Sequence, residues 1–301
     1  MKALVLIGYG DVDNLELREL PDAKAGPGEV RVRAAASSVN PIDWKLLGGA
    51  MHAWMPLQFP AILGRDVSGE VIEAGAGVTA FKPGDKVLGR ADRAFAEEVV
   101  ARADAFALVP PGLDLRDAAA LPLVGLTGAQ LIEEAVKPKQ GDVVLVTGAL
   151  GGVGRVAIYA AKKLGARTIA GVRRKQTGAA AELGASQVVA IDDDAEIGRL
   201  PQLDAIADTV GGEVTARLLP HLRKGGVVGS VVGEPPAAKG REVTVRAIRT
   251  HSDAKRLREL AEAVARGDLR LPISSRFPPE QAREAIRLAS RGGAGKVLIT
   301  F

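Results

Sequence analysis

The sequence predicts an α/β chain in two parts, a β-rich, barrel-like domain and a doubly wound parallel sheet, and three observations carry that prediction. Short strands separated by Pro and Gly turns fill the first third of the chain. Helices and strands alternate from about residue 113. A glycine turn joins a β-branched strand at 143–147 to a helix. The expected division is 1–116 with 269–301 for the first domain and 117–268 for the second.

In chain order, strands are expected over 2–7, 15–19, 29–37, 66–74 and 86–88. Gly26-Pro27-Gly28 and Pro83-Gly84-Asp85 punctuate them, because proline fixes φ and glycine supplies positive φ. Next come helices over 116–120 and 126–135, the strand 143–147, a helix over 153–164 and a strand over 167–172. The alternation continues with a helix over 176–183, strands over 187–191 and 203–208, a helix over 214–221 and a strand over 226–232. Continuous apolar strands buried on both faces, with right-handed crossovers between them, make this half a parallel sheet. An edge strand over 241–248 and an amphipathic helix over 252–265, stopped by Gly267, follow. The tail, with one helix over 279–290, rejoins the first domain.

At 301 residues the chain holds two folded domains, and its 47% hydrophobic content suits a sizeable core. The net charge of +4 comes from charges of both signs spread along the chain, so no basic stripe for nucleic acid is expected. The apolar run 3–7 is too short for a signal-peptide core or a membrane span, and a cytoplasmic protein without a membrane partner is expected. Cysteine is absent, which excludes disulfides, thiol nucleophiles and cysteine-based zinc sites. His52, His221 and His251 have no sequence partners that suggest a metal or a catalytic relay, so no metal is expected.

The turn Gly148-Ala149-Leu150-Gly151-Gly152-Val153-Gly154 has the spacing of a dinucleotide site with Ala149 in the first glycine position. A pyrophosphate needs free backbone N–H groups and no side chain in the way, which glycines at a helix N-terminus supply. The following strand ends in Val172-Arg173-Arg174-Lys175, three cations where an acid would bind the ribose hydroxyls of NAD. NADP(H) is therefore the expected cofactor, the alternative for the arginines being a solvated basic loop.

Further landmarks are Asn40-Pro-Ile-Asp43, Phe59-Pro60-Ala-Ile-Leu-Gly64-Arg-Asp66-Val-Ser-Gly69, Phe81-Lys-Pro-Gly84-Asp85, Leu126-Thr127-Gly128, Asp208-Thr-Val-Gly211-Gly212 and Gly295-Lys296-Val-Leu. With the glycine turn they resemble the medium-chain dehydrogenase/reductase superfamily, in its zinc-free quinone oxidoreductase and enone reductase branch, over essentially the whole chain. The resemblance implies a GroES-like catalytic domain and a Rossmann domain. Zinc-dependent relatives carry a Cys at the position of Asn40, Gly-His-Glu at Gly64-Arg65-Asp66 and a Cys near Leu123, and their four-Cys lobe is cut down here to 89–97. No tetrahedral zinc set remains.

The resemblance further implies cofactor contacts from Asn40 and Thr127 to the nicotinamide ribose and ring, and from Ala149, Gly151, Gly152, Val153 and Gly154 to the pyrophosphate. Arg173 and Arg174 would hold the 2′-phosphate, with Val210, Gly229, Val231 and Lys296 completing the site. Metal-free conjugate reduction suits this set, because charge on the oxygen of an enone or quinone is delocalised and one hydrogen-bond donor can suffice. Lys45 is the candidate donor, with Asp43 orienting its segment and Asn40 beside them; a solvated Lys45 paired with Asp43 is the alternative. Trp44, Met51, Trp54, Met55 and Phe59 follow this motif in a chain only 3% aromatic, and they are expected to form either a pocket for a planar apolar substrate or plain core. A cofactor-binding sensor or crystallin-like protein with little turnover, or a reductase of another small carbonyl, are the competing functions. The β-branched edge at 241–248 is expected to pair in a homodimer.

Overall fold

The computed structural model describes residues 1–293 and 295–301. It forms two compact units, Met1–Leu123 with Ser252–Phe301, and Val124–His251.

The first unit is built on a sheet in the order Ile273–Phe277, Lys296–Thr300, Glu29–Ser38, Asp66–Ala74, Lys86–Arg90 and Phe106–Leu108, with Glu98–Arg102 also pairing to Glu29–Ser38. A three-stranded sheet of Leu15–Glu19, Lys2–Leu6 and Ala61–Ile62 accompanies it. Alternation puts Val30 and Val32 inward, where they meet Val67, Val71, Val87 and Phe106. A second core gathers Leu4, Leu6, Leu46, Leu47, Phe95 and Ile299.

Elements of this unit that were not expected include the helix Pro41–Leu47 and the strands Ala61–Ile62, Glu98–Arg102 and Phe106–Leu108. The helix nevertheless has a local signature, since Asn40 sits at its N-cap, Pro41 at the first helical position and Asp43 at the third. The unit boundaries also move. The turn Asp117–Ala120 packs on the strands Glu29–Ser38, Asp66–Ala74 and Lys296–Thr300, and the helix Ala254–Ala265 packs on Phe106–Leu108. Burial of Ala118, Ala119, Leu257 and Leu260 thus assigns 117–123 and 252–268 to the first unit rather than the second.

The second unit is an all-parallel sheet in the order Gln187–Ala190, Arg167–Val172, Val143–Thr147, Leu203–Asp208, Leu222–Ser230 and Thr244–Ala247. The order reverses between Val143–Thr147 and Leu203–Asp208, and such a switch point opens a crevice at the strands' carboxyl ends. The expected edge strand is shorter than 241–248 and occupies the edge as Thr244–Ala247. The helix Pro122–Gln130 runs on into a wider π turn, Leu131–Val136, closed by Lys137 at φ 51°. Its run Asp117–Val136 is long and apolar enough to cross a membrane, but 83% of its apolar window is buried inside the protein, as in a core helix.

Candidate active site

Two places concentrate polar groups, one in each unit. In the first unit Asn40, Asp43, Ser38, Asp66 and Lys296 are all buried together. Asp66 accepts from Asn40 Nδ2 at 2.7 Å and Ser38 Oγ at 2.5 Å on one oxygen, and from the Leu123 N–H at 2.6 Å on the other. Lys296 Nζ donates to Asn40 Oδ1 at 2.6 Å and to the Val39 carbonyl at 3.2 Å, and lies 4.0 Å from Asp66. Since lysine only donates and a carboxylate only accepts, the Asn40 amide has a single orientation between them. Burial pushes the Lys296 ammonium below its ordinary value, against the pull of Asp66 and Asp43.

Asp43 closes the same cluster from the helix Pro41–Leu47. Its Oδ2 accepts from the Asn40 N–H at 2.8 Å, while Oδ1 is buried without a partner. Burial pushes its carboxyl up to about 7; the Asn40 N–H opposes that shift and the nearby Asp66 adds to it.

Asn40 and Lys296, expected at the cofactor, have their polar groups engaged inside this cluster. Asp43 is buried and its bond to the Asn40 N–H orients the segment. Lys45 is exposed and, among the described residues, has neither a hydrogen bond nor an ion pair, so the alternative pairing with Asp43 does not form. Helical geometry explains this, because Lys45 falls on the face opposite the inward Leu46 and Leu47. Trp44, Met51 and Met55 pack against the core, and Trp54 is 82% exposed. Phe59, from the expected aromatic pocket, lines a cavity of about 560 Å³ whose wall also includes Leu57, Ile62, Arg65, Asp92 and Arg93. Ser38 was not anticipated, and Asp66 only as a substituted ligand. The partner of Asn40, Lys296, lies 256 positions away, beyond the reach of any local pattern.

In the second unit the helix Gly152–Lys163 starts from Gly151, and its first bonded N–H is that of Arg155, to the Gly151 carbonyl at 2.9 Å. The N–H groups of Gly152, Val153 and Gly154 before it have no acceptor among the described residues, as at any uncapped helix start. The tight turn itself falls on Gly148, at φ 60°, while Ala149 is buried and donates its N–H to the Gly171 carbonyl at 3.1 Å. This explains how an alanine stands in the first glycine position: its neighbour carries the left-handed conformation. A Cβ on Gly154 would lie 2.3 Å from the Gly148 carbonyl oxygen, so only glycine lets the helix close on the strand.

Arg173 ends the second strand, exposed, with no hydrogen bond or ion pair from its guanidinium among the described residues. Arg174 differs. It pairs with Asp193 and lies 3.6 Å from Glu196, two carboxylates that compete with a phosphate for its guanidinium. Thr127 is buried and shares a 2.7 Å hydrogen bond with Thr250. Val210 is exposed after Asp208, whose carboxylate accepts from the Val210 and Gly211 N–H groups and so serves the turn. At Gly229 a Cβ would meet Val136 at 2.8 Å and Ala135 at 3.1 Å, so this glycine lets the π turn approach the sheet, and Val231 packs on the same core.

The comparisons agree with this architecture. Residues 26–111 match the alcohol dehydrogenase GroES-like domain, and residues 183–299 match the zinc-binding dehydrogenase domain. The chloroplastic quinone-oxidoreductase QR1 of Triphysaria versicolor is 29% identical over 99% of this chain and 98% of its own length. The solved quinone oxidoreductase from Coxiella burnetii has 30% sequence identity and a TM-score of 0.90, covering 100% of this chain and 99% of that one. A mycobacterial protein solved as a complex with NADPH superposes with a TM-score of 0.86 at 27% identity, covering 100% of both chains.

Proposed function

This chain belongs to the medium-chain dehydrogenase/reductase superfamily, in its quinone oxidoreductase branch, and from that premise we propose that it reduces a quinone or an α,β-unsaturated carbonyl with NADPH and without a metal. The coarser conclusion is that it is an oxidoreductase with a nicotinamide cofactor. Arg173 is the observation that carries the choice of NADPH. It is an unpaired guanidinium at the end of the second strand, where an acid would favour NADH.

The glycine turn fits the cofactor. The free N–H groups of Gly152, Val153 and Gly154 and the positive end of the helix dipole would hold its pyrophosphate, and a side chain at Gly151 would crowd the Gly148 carbonyl at 3.2 Å. When bound, a dihydronicotinamide supplies a hydride. A zinc ion does not fit the residues at the matched ligand positions. Asn40 and Leu123 offer no soft donor, Arg65 is a cation, and Asp66 already accepts three hydrogen bonds beside the Lys296 ammonium. Conjugated acceptors are the class that such a site serves, because their developing oxyanion is spread over several atoms.

Steady-state kinetics with 1,4-benzoquinone, 9,10-phenanthrenequinone and a 2-alkenal tests the reading. Arg173→Ala is expected to lower kcat/KM for NADPH by about 10- to 100-fold, as suits a lost charge-assisted bond, with little change for NADH. An equal loss for both nicotinamides would refute the assignment. We also propose a cytoplasmic homodimer joined at Thr244–Ala247, whose outer edge is unpaired in the sheet. Sedimentation is expected to give twice the mass of one chain, and a monomer at micromolar concentration would count against it.

A further inference from the structure

The cavity of about 560 Å³ in the first unit has two unlike walls. One is apolar and held in place: the Leu57 N–H donates to Tyr9 Oη at 2.7 Å, and the Phe59 ring stands edge-on to Tyr9 at 4.7 Å. The other wall is cationic. Backbone bonds from Ala91 to Arg65 and from Phe95 to Leu63, at 3.1 and 3.0 Å, tie the two segments that carry Arg65 and Arg93. Gly64, at φ 96°, lets them meet, since a Cβ there would lie 2.6 Å from Phe95 N.

Charge on that wall is not balanced. Arg65, with a side chain only 14% exposed, pairs with Asp92, whose carboxylate is 68% exposed. Arg93 lines the same cavity and, among the described residues, has no hydrogen bond or ion pair. Arg90, next to Arg65, has a buried Nε without an acceptor. Its guanidinium is held below its ordinary value by burial and then by Arg65. Two guanidinium groups on this wall, those of Arg65 and Arg93, therefore have one solvent-facing carboxylate between them. A largely buried arginine whose one partner faces solvent, with a second arginine beside it, gains from a planar anion that it can bind with two parallel N–H groups.

We propose that this cavity binds the carboxylate of an acidic acceptor, with Arg65 and Arg93 on the anion and Leu57, Phe59 and Ile62 against its apolar body. The inference rests on the reductase reading for the word acceptor, while the anion site stands on its own geometry. The preferred substrates are then conjugated carbonyls that bear a carboxylate, rather than neutral quinones and enals. Reduction adds one hydride and one proton across the C=C bond, leaves the carboxylate unchanged and yields the oxidised nicotinamide.

The matched pair trans-4-oxo-2-pentenoate and its methyl ester tests this. The chain has no cysteine for such an electrophile to alkylate. The acid is expected to show a kcat/KM at least about 30-fold above the ester, and Arg65→Gln is expected to collapse that ratio below about 3-fold. Calorimetry with 4-oxopentanoate, which cannot be reduced at a C=C bond, gives a second readout on the full chain. The acid is expected to bind wild type at least about tenfold tighter than its ester, and Asp92→Asn, a change at an exposed side chain, to tighten it further by freeing Arg65. An ester bound or turned over as well as the acid overturns the proposal, as does acid binding unchanged in Arg65→Gln. No NADPH oxidation with either acceptor, alongside selective binding of 4-oxopentanoate, sinks the reductase reading and supports the anion site.

Discussion

Asp66→Ala is expected to lower folding stability by about 3–5 kcal/mol, the range for removing one partner from a buried charged network. The carboxylate holds three donors at once, from Asn40, Ser38 and Leu123, all within 2.7 Å. Truncation strands those donors and leaves Lys296 Nζ, itself buried, with no anion at 4.0 Å to offset its charge. Asp66→Asn is expected to cost less, about 1–3 kcal/mol, because the amide oxygen still accepts from Leu123 while its NH₂ opposes the NH₂ of Asn40. Urea denaturation of the three proteins checks the order, with unchanged m-values showing that the native state is the same. A loss below about 1 kcal/mol in Asp66→Ala would show that water or a rearranged Lys296 replaces the carboxylate.

What could be read in advance divides by the range of the interactions. The parallel sheet was legible because strands alternate with helices along the chain and its central strand, Val143–Thr147, opens with a continuous apolar run. The glycine turn was legible because its roles are local: a left-handed residue, free N–H groups and a close helix approach all fall within a few positions. The buried cluster was not, since Asn40, Asp66, Leu123 and Lys296 come from four segments joined only by the fold. For residues 44–59 the composition left a pocket and plain core both open: Trp44, Met51 and Met55 pack on the core, while Trp54, in the turn after the helix, stands in solvent. Arg173 and Arg174 looked equivalent in sequence and differ because Asp193 and Glu196, one crossover further on, reach only the second.

Stability is expected to fall between about pH 4 and pH 7 by a contribution from one side chain, Asp43. An unfolded aspartate ionises near pH 3.9, whereas burial without a partner for Oδ1 moves this one up to about 7. Over that window the folded chain keeps a proton that the unfolded chain has released, so raising the pH favours unfolding until the folded group also ionises. A gap of about three pKa units corresponds to on the order of 4 kcal/mol. Asp43→Asn keeps an oxygen for the Asn40 N–H and cannot ionise, so it removes this dependence. The stability of Asp43→Asn minus that of wild type is expected to start near zero at pH 4, climb through pH 7 and level off above it on the order of 2–4 kcal/mol in favour of the variant. Chemical denaturation at each pH measures that difference curve, in which the contributions of the other carboxylates cancel. A flat curve would mean that Asp43 ionises at an ordinary pH in the folded protein, with Lys296 close enough to hold its charge, and the cluster would then contain two carboxylates around one ammonium rather than one.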